Sequence, residues 1–410
     1  MNSFLQSLTR GLLLLSSFLA PGVPRAQTAP TGTTVSGTIQ SGGLTRDYRL
    51  YVPAAYRAGT PVPLLFNLHG FGSNNLEQEV YGDFRPIADT ANFLVVHPNG
   101  AINVLGSRSW NTVTTTLSAV DDVAFLSALL DEIRSKYSVD LDRVYSTGMS
   151  NGGYMSYELA CKLSGRIAAI ASVAGSMATD RLQTPALCTP QHPTPVLEIH
   201  GTADTTVPYD GGLALGVVPS AAIPAVLNYW VAVNGCQPTP VVTALPDLSA
   251  TDNSTVERSV WSGGRQGSVV MHLKIIGGGH TWPGSAIPRA GLVTNYDISA
   301  SVEVWRFLRR YRLSQLAGTG LAVTPGAGPA LGLSVAPNPA GPDGRVLVQA
   351  GRALQPAQLV LFDMLGRRLA APAAPAPGGA VQLDLSRVPS GLYLLQAQVA
   401  GRRYQQKLLR

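Results

Sequence analysis

Apolar and polar residues alternate along 34–39 and again along 46–52, on either side of Ser41-Gly42-Gly43. Period two around a glycine turn is the pattern of an antiparallel hairpin at a sheet edge. The next apolar runs, at 63–68, 93–96, 167–173 and 195–199, are short and nearly continuous, as in strands of a parallel sheet covered on both faces. Between them the period lengthens. Residues 121–137 place Val123, Phe125, Leu126, Leu129, Leu130 and Ile133 on one helical face. Residues 76–90 read as a helix broken by Pro86, 222–233 as a helix begun near Pro224, and 298–311 as a closing amphipathic helix through Val302, Val304, Trp305, Phe307 and Leu308. Strand and helix in alternation predict an α/β fold with a mostly parallel sheet flanked by helices. Residues 241–267 show no period and are expected to be irregular, ahead of a last strand at 268–276.

Beyond 316 the pattern changes. A stretch rich in Gly, Ala, Thr and Pro, without a periodic face, predicts a linker at 317–332. Short alternating runs at 358–363, 381–385 and 392–396 then predict a small all-β sandwich over 333–410. At the other end, Arg10, the apolar stretch 11–20 and Ala26 after Pro21-Gly22-Val23-Pro24-Arg25 have the layout of a signal peptide, 1–26. That apolar stretch is too short to span a bilayer, and no other transmembrane candidate is visible. The remaining 27–316 is the large α/β domain.

Composition sharpens this division. The chain has 410 residues, 45% of them hydrophobic and only 13% charged, which argues for folded modules rather than disorder. A net charge of +6 would suit nucleic acid, but it sits in the tail: 333–410 holds nine Lys/Arg against three Asp/Glu, whereas 27–332 holds nineteen against twenty-one. The α/β domain therefore has no cationic surplus for a phosphate backbone. Export would make the three cysteines available for pairing, with Cys161 to Cys188 preferred and Cys236 left over, although a bridge to Cys236 stays open. No Cys/His spacing resembles a zinc site, so no metal is expected.

The candidate chemistry centres on Val144-Tyr-Ser-Thr-Gly-Met-Ser150-Asn-Gly-Gly153. A strand that enters Gly-x-Ser-x-Gly and leaves into a helix reads as a nucleophile elbow, with small residues where the backbone folds back on itself. Ser150 is the candidate nucleophile, and the N–H of Asn151, at the helix start, a candidate oxyanion donor. His69-Gly70-Phe71-Gly72-Ser73 follows the strand at 63–68, and Phe71 or its neighbour Gly70 would supply the second donor. Asp204, in the loop after the strand at 195–199, is the candidate acid, with Asp210 its competitor. His280, behind Gly277-Gly278-Gly279, is the candidate base; His200 reads as a local hydrogen-bonding residue, and His272 lies within a strand. Trp110 and Trp282 are candidate substrate contacts, and Asp121 and Asp122 read as helix-capping acids. The order Ser150, Asp204, His280, with an oxyanion loop upstream, is that of an α/β-hydrolase and needs no cofactor.

Leu68-His-Gly-Phe-Gly-Ser73, Gly148-Met-Ser-Asn-Gly-Gly153, His200-Gly-Thr-Ala-Asp204 and Gly277-Gly-Gly-His-Thr-Trp-Pro-Gly284 together resemble the polyhydroxybutyrate depolymerase and feruloyl esterase group of α/β-hydrolases. The resemblance covers roughly 34–313. It implies a secreted carboxylesterase acting on short-chain polyesters, or on feruloyl and acetyl groups of plant polysaccharide, with Ser150, Asp204 and His280 as triad. Such proteins often carry a further cysteine where this chain has Trp261-Ser-Gly-Gly264, which leaves the partner of Cys236 in doubt. Pro337-Asn-Pro339, Asp363-Met-Leu-Gly366, Leu385-Ser-Arg-Val-Pro-Ser-Gly-Leu-Tyr393 and Lys407-Leu-Leu-Arg410 resemble the type IX secretion C-terminal sorting domain. That similarity implies the outer-membrane secretion machinery as a partner and a secreted or cell-surface location. A carbohydrate-binding module is the alternative for this tail, which offers only Phe362, Tyr393 and Tyr404 as an aromatic platform. A non-catalytic polysaccharide-binding or adhesion protein on a hydrolase scaffold is the alternative of another class.

Overall fold

The first two strands, β1 (Thr33–Ser41) and β2 (Leu44–Val52), pair antiparallel from Thr33 opposite Val52 to Ser41 opposite Leu44. Gly42 and Gly43 turn between them at φ +58° and +77°, the left-handed geometry that lets a two-residue turn follow the twist of its strands. This computed structural model describes residues 31–112, 118–287, 289–316, 334–336, 338, 340–341, 343–349, 353–363, 368–399 and 402–410. The signal-peptide segment 1–26 and the linker 317–332 lie outside the described residues. Backbone contacts group the chain into two compact units, Met1–Ala322 and Val323–Arg410.

In the first unit, β3 (Val62–Leu68), α1 (Asn75–Tyr81), α2 (Arg85–Ala91) and β4 (Leu94–Pro98) precede a short hairpin of β5 (Ala101–Ile102) and β6 (Arg108–Ser109). Then come α3 (Asp122–Lys136), β7 (Val139–Met149), α4 (Asn151–Lys162), β8 (Ala169–Val173), α5 (Thr179–Gln183) and β9 (Val196–Gly201). A second hairpin, β10 (Gly212–Ala214) and β11 (Val218–Ser220), leads to α6 (Ile223–Asn234), β12 (Val241–Ala244), β13 (Thr255–Trp261) and β14 (Val270–Ile276), and α7 (Ala300–Leu308) and α8 (Leu313–Leu316) close the unit. The main sheet has ten strands in the order β1-β2-β4-β3-β7-β8-β9-β14-β13-β12. From β4 to β14 neighbouring strands are parallel, and antiparallel strands finish both edges.

Burial explains the strand sequences. Every residue of β3, β4, β8 and β9 is buried, as continuous apolar runs require. Period two still assigns faces: Leu64 and Phe66 of β3 pack with Phe125 of α3, Leu159 of α4 and Trp230 of α6, whereas Leu65 packs with Phe84, Ala88 of α2 and Trp305 of α7. Helices thus cover both sides of the sheet. The disulfide Cys161–Cys188 joins the end of α4 to the segment before β9, and Cys236 is unpaired.

Three expectations are corrected. Residues 241–267 contain two strands, β12 and β13, so β14 is the last strand of this unit in sequence but lies inside the sheet. The break in 76–90 falls at Gly82-Asp83-Phe84, and Pro86 sits in the first turn of α2, where its missing N–H costs nothing. Asp121 caps α3 through the Ala124 N–H, but Asp122 is a buried ion-pair partner of Arg46 at 2.7 Å.

The second unit holds two four-stranded antiparallel sheets. β15 (Ser334–Ala336), β16 (Arg345–Gln349), β19 (Ala373–Ala376) and β20 (Ala380–Asp384) form one in the order β15-β16-β20-β19; β17 (Leu359–Asp363), β18 (Arg368–Leu369), β21 (Leu392–Val399) and β22 (Arg402–Leu409) form the other in the order β18-β17-β21-β22. Val346, Val348, Leu361, Val381, Leu383 and Leu395 make their common core.

Candidate active site

At the end of β7 the chain turns through Ser150 with φ +55° and ψ −121°, a conformation costly for any residue with a Cβ. The surroundings impose it. A Cβ at Gly148 would lie 2.6 Å from Gly152 and from Leu68 O, and one at Gly152 would fall inside contact distance of Leu68 O. Only glycine permits this approach of β3, β7 and α4. The Ser150 N–H donates to Val173 O at 2.9 Å, fixing the turn on β8, while the serine side chain makes no capping bond to α4.

The loop after β3 is fixed by its histidine. The Gly100 N–H donates to His69 Nε2 at 2.9 Å, so Nδ1 carries the proton and donates to Gly70 O at 2.7 Å. Burial lowers the His69 pKa to about 4, which keeps the ring neutral. The Trp110 Nε1–H donates to His69 O at 2.9 Å, and the Gly72 N–H to Arg108 O at 2.8 Å. Phe71 is held over the serine from both ends. Asn151 is bound by Trp110, whose N–H donates to Asn151 Oδ1 at 2.6 Å and whose carbonyl accepts from Asn151 Nδ2 at 3.1 Å. Among the described residues, neither the Phe71 nor the Asn151 N–H has an acceptor within the chain.

Across the serine, β9 and β14 are parallel neighbours, so the loops that follow them emerge side by side. The Ala203 N–H donates to Gly278 O at 2.9 Å, tying the two loops together. His280 Nδ1 bonds Asp204 Oδ2 at 2.7 Å, and Asp204 Oδ1 accepts from the Thr206 and Val207 N–H groups, both at 2.8 Å. Asp210, the competitor, is exposed, and His272 is bound elsewhere, to Glu198 O at 3.0 Å and Tyr209 Oη at 3.2 Å. Ser150 and His280 line one cavity; among the described residues no hydrogen bond yet joins them, as is common before substrate binds.

Two cavities meet at Ser150 and Phe71. The larger, about 590 Å³, is lined by His280, Tyr81, Trp282, Leu76 and Ile287 among others, and the smaller, about 290 Å³, by Trp110, Tyr154, Val207, Ala214 and Val218. The two tryptophans thus belong to different cavities. Both are nearly fully buried and have satisfied indole N–H groups, that of Trp282 on Ser301 Oγ at 3.1 Å, so each offers a small part of its surface to a ligand. The sequence reading missed Glu198, which β9 buries beside His200 with Nδ1 to Oε1 at 3.0 Å. Its signal was present: residues two apart on a strand share a face.

A family model for phospholipases and carboxylesterases matches residues 62–222. The chain is 30% identical over 267 residues to a putative esterase, NocK, of Nocardia uniformis subsp. tsuyamanensis, covering 62% of this chain and 76% of that protein. It is 31% identical over 232 residues to feruloyl esterase B of Piromyces equi, covering 56% of this chain but only 41% of the relative, less than half its length. Among solved structures, an acetyl xylan esterase from Aspergillus awamori superposes with a TM-score of 0.42 at 15% identity, covering 67% of this chain and 99% of that one.

Proposed function

The chain belongs to the phospholipase/carboxylesterase family of α/β-hydrolases, carboxylic ester hydrolases related to feruloyl esterases, and on that premise we propose that it cleaves acyl esters through Ser150, His280 and Asp204. The observation that carries this reading is the 2.7 Å bond from His280 Nδ1 to Asp204, His280 lining the cavity onto which the strained Ser150 opens. That bond leaves Nε2 of His280 to accept the serine proton as Oγ attacks the ester carbonyl. The Phe71 and Asn151 N–H groups stabilise the oxyanion, His280 returns the proton to the leaving alcohol, and water releases the acyl group by the same route. Because the alcohol oxygen must reach His280, which lines only the larger cavity, the alcohol occupies that side and the acyl group the smaller, apolar one.

The substrates proposed are feruloyl or acetyl esters of plant polysaccharide, following the relatives. A polyester such as polyhydroxybutyrate is the second reading, favoured by a specific observation: exposed aliphatic residues Leu76, Leu105, Leu215, Val217 and Ile287 rim both cavities, and such patches suit an apolar partner. Secretion is proposed from the signal-peptide layout and the type IX-like tail, and the disulfide Cys161–Cys188 suits an oxidising compartment.

Hydrolysis of methyl ferulate, acetylated xylan and amorphous polyhydroxybutyrate by the full chain, with Ser150→Ala alongside, tests the function. Ser150-dependent ferulate or acetyl release supports the plant-wall reading, and clearing of the polymer alone the polyester one. Silence on all three from folded protein overturns both. Val218→Trp tests the cavity assignment: kcat/KM for methyl ferulate should fall by about tenfold or more while that for an acetyl ester changes by less than about threefold. Equal losses would place the acyl group elsewhere.

A further inference from the structure

Beside Asp204 lies a second buried histidine that the hydrolytic mechanism does not use. His200, at the end of β9, is fully enclosed. Its Nδ1 faces Glu198 Oε1 at 3.0 Å; its Nε2 faces Val207 O at 2.9 Å and Asp204 Oδ2 at 3.5 Å. Both ring nitrogens therefore meet oxygen acceptors only. Nε2 must carry a proton, because a carbonyl cannot donate one, and a proton also lies on the line between Nδ1 and Glu198. The Tyr157 hydroxyl of α4 donates to the other Glu198 oxygen at 2.7 Å, which favours the carboxylate and hence the imidazolium.

We propose that His200 is a positioning residue of this site: as an imidazolium paired with Glu198, it approaches the same Asp204 oxygen, Oδ2, that His280 binds, and sets the pH at which His280 becomes a competent base. The chain Glu198–His200–Asp204–His280 alternates carboxylate and imidazole through the interior. Every element packed around His200 contributes a group that the pair must contend with. Tyr157 comes from α4, His272 and Lys274 from β14, where Lys274 is the rung partner of His200, and Tyr209 from the following loop, with its ring 6.0 Å from the imidazole. His272 does not compete for the proton, since burial, helped by the nearby charges of His200 and Lys274, lowers its pKa to about 3. Desolvation by itself would lower the affinity of His200 for protons, but the hydrogen bond and charge of Glu198, with Asp204, outweigh it and raise the pKa. Burial also raises that of Glu198, so the two side chains hold one proton between them, and the Tyr157 hydrogen bond and the nearby Asp204 carboxylate favour its place on His200.

The cation beside Asp204 offsets part of the negative potential that His280 feels. Removing it makes His280 easier to protonate. The acid limb of kcat/KM, which marks the loss of neutral His280, therefore moves to higher pH.

The proposal rests on the roles given above to Ser150, Asp204 and His280, and its test separates the two. In the full chain, His200→Gln should lower kcat by about tenfold or more at neutral pH with KM little changed, and move the acid limb upward by about one pH unit. An unmoved acid limb in a folded variant overturns the proposal, whatever happens to kcat. Nitrogen-15 NMR of the wild-type histidines needs neither substrate nor variant: His200 should carry protons on both ring nitrogens from pH 6 to pH 8 (about the range in which an unperturbed histidine would lose one). A ring with one bare nitrogen at pH 7 overturns the proposal. Absence of esterase activity would sink the functional reading and leave the NMR result to decide this one.

Discussion

The two flanks of Ser150 are built from different materials. On the β3 and β4 side the histidines are neutral: burial lowers His69 and His97 to about 4, and the His69 ring fixes its loop through hydrogen bonds with main-chain groups. On the β9 and β14 side, Glu198, His200, Asp204 and His280 are linked through side-chain carboxylates. In the proposed reaction one flank presents fixed dipoles to an oxyanion and the other moves a proton. A dipole placed by main chain needs no charge, whereas proton transfer requires groups whose affinities are matched. Each flank should therefore fail in its own way.

The largest effect is expected where the flanks join. Gly152→Ala drives a methyl group into Leu68 O and Leu68 C and should abolish both activity and the cooperative thermal transition of the catalytic unit, read by calorimetry. Normal melting would show that the β3–α4 approach is looser than described. Next is the proton flank. Asp204→Asn should keep the fold and lower kcat by about ten-thousandfold, because His280 loses its carboxylate, while exposed Asp210→Asn should leave kcat within about twofold. A reversed pair of results would exchange the two acids.

The neutral flank gives a stability prediction. The folded pKa values of His69 and His97 are depressed below the unfolded value of about 6.5, so the unfolded chain binds more protons between that pH and about 4. Stability is retained above about pH 6.5 and falls as pH drops, by up to ~3 kcal/mol for each ring at pH 4. Urea midpoints measured across this range should decline steadily; a flat profile would mean the rings titrate normally. The smallest effect is remote from both flanks. Cys161→Ser with Cys188→Ser should cost ~3 kcal/mol in unfolding free energy and leave kcat within about twofold, since the disulfide closes 27 residues at the far end of α4.

Much of this was legible in sequence because it is local. The all-buried strands announce themselves by continuous apolar runs, and the elbow by glycines whose reason is steric. The pairing of Asp204 with His280 was legible by position, each following one of two strands that prove to be neighbours. Residues 241–267 were not. β12 is exposed along its whole length, and β13 buries Val256, Ser259 and Trp261 without strict alternation, so neither leaves a clean period. Asp122 looked like a capping acid because its partner, Arg46, is 76 residues away and its reach is tertiary. Glu198 was overlooked for the opposite reason: its signal, a place two positions before His200 on the same strand face, is local but sits inside the apolar stretch Val196–Gly201.

The adjacency of β9 and β14 has a further consequence. Asp204 and His280 are separated by 76 positions, yet their distance is fixed where Ala203 meets Gly278. Length changes in the surface turns between them therefore leave that distance in place. The β10–β11 hairpin, which walls the smaller cavity, lies within that span and can be exchanged as a cassette. A different hairpin there would reshape the smaller cavity while the spacing of Asp204 and His280 stays as it is.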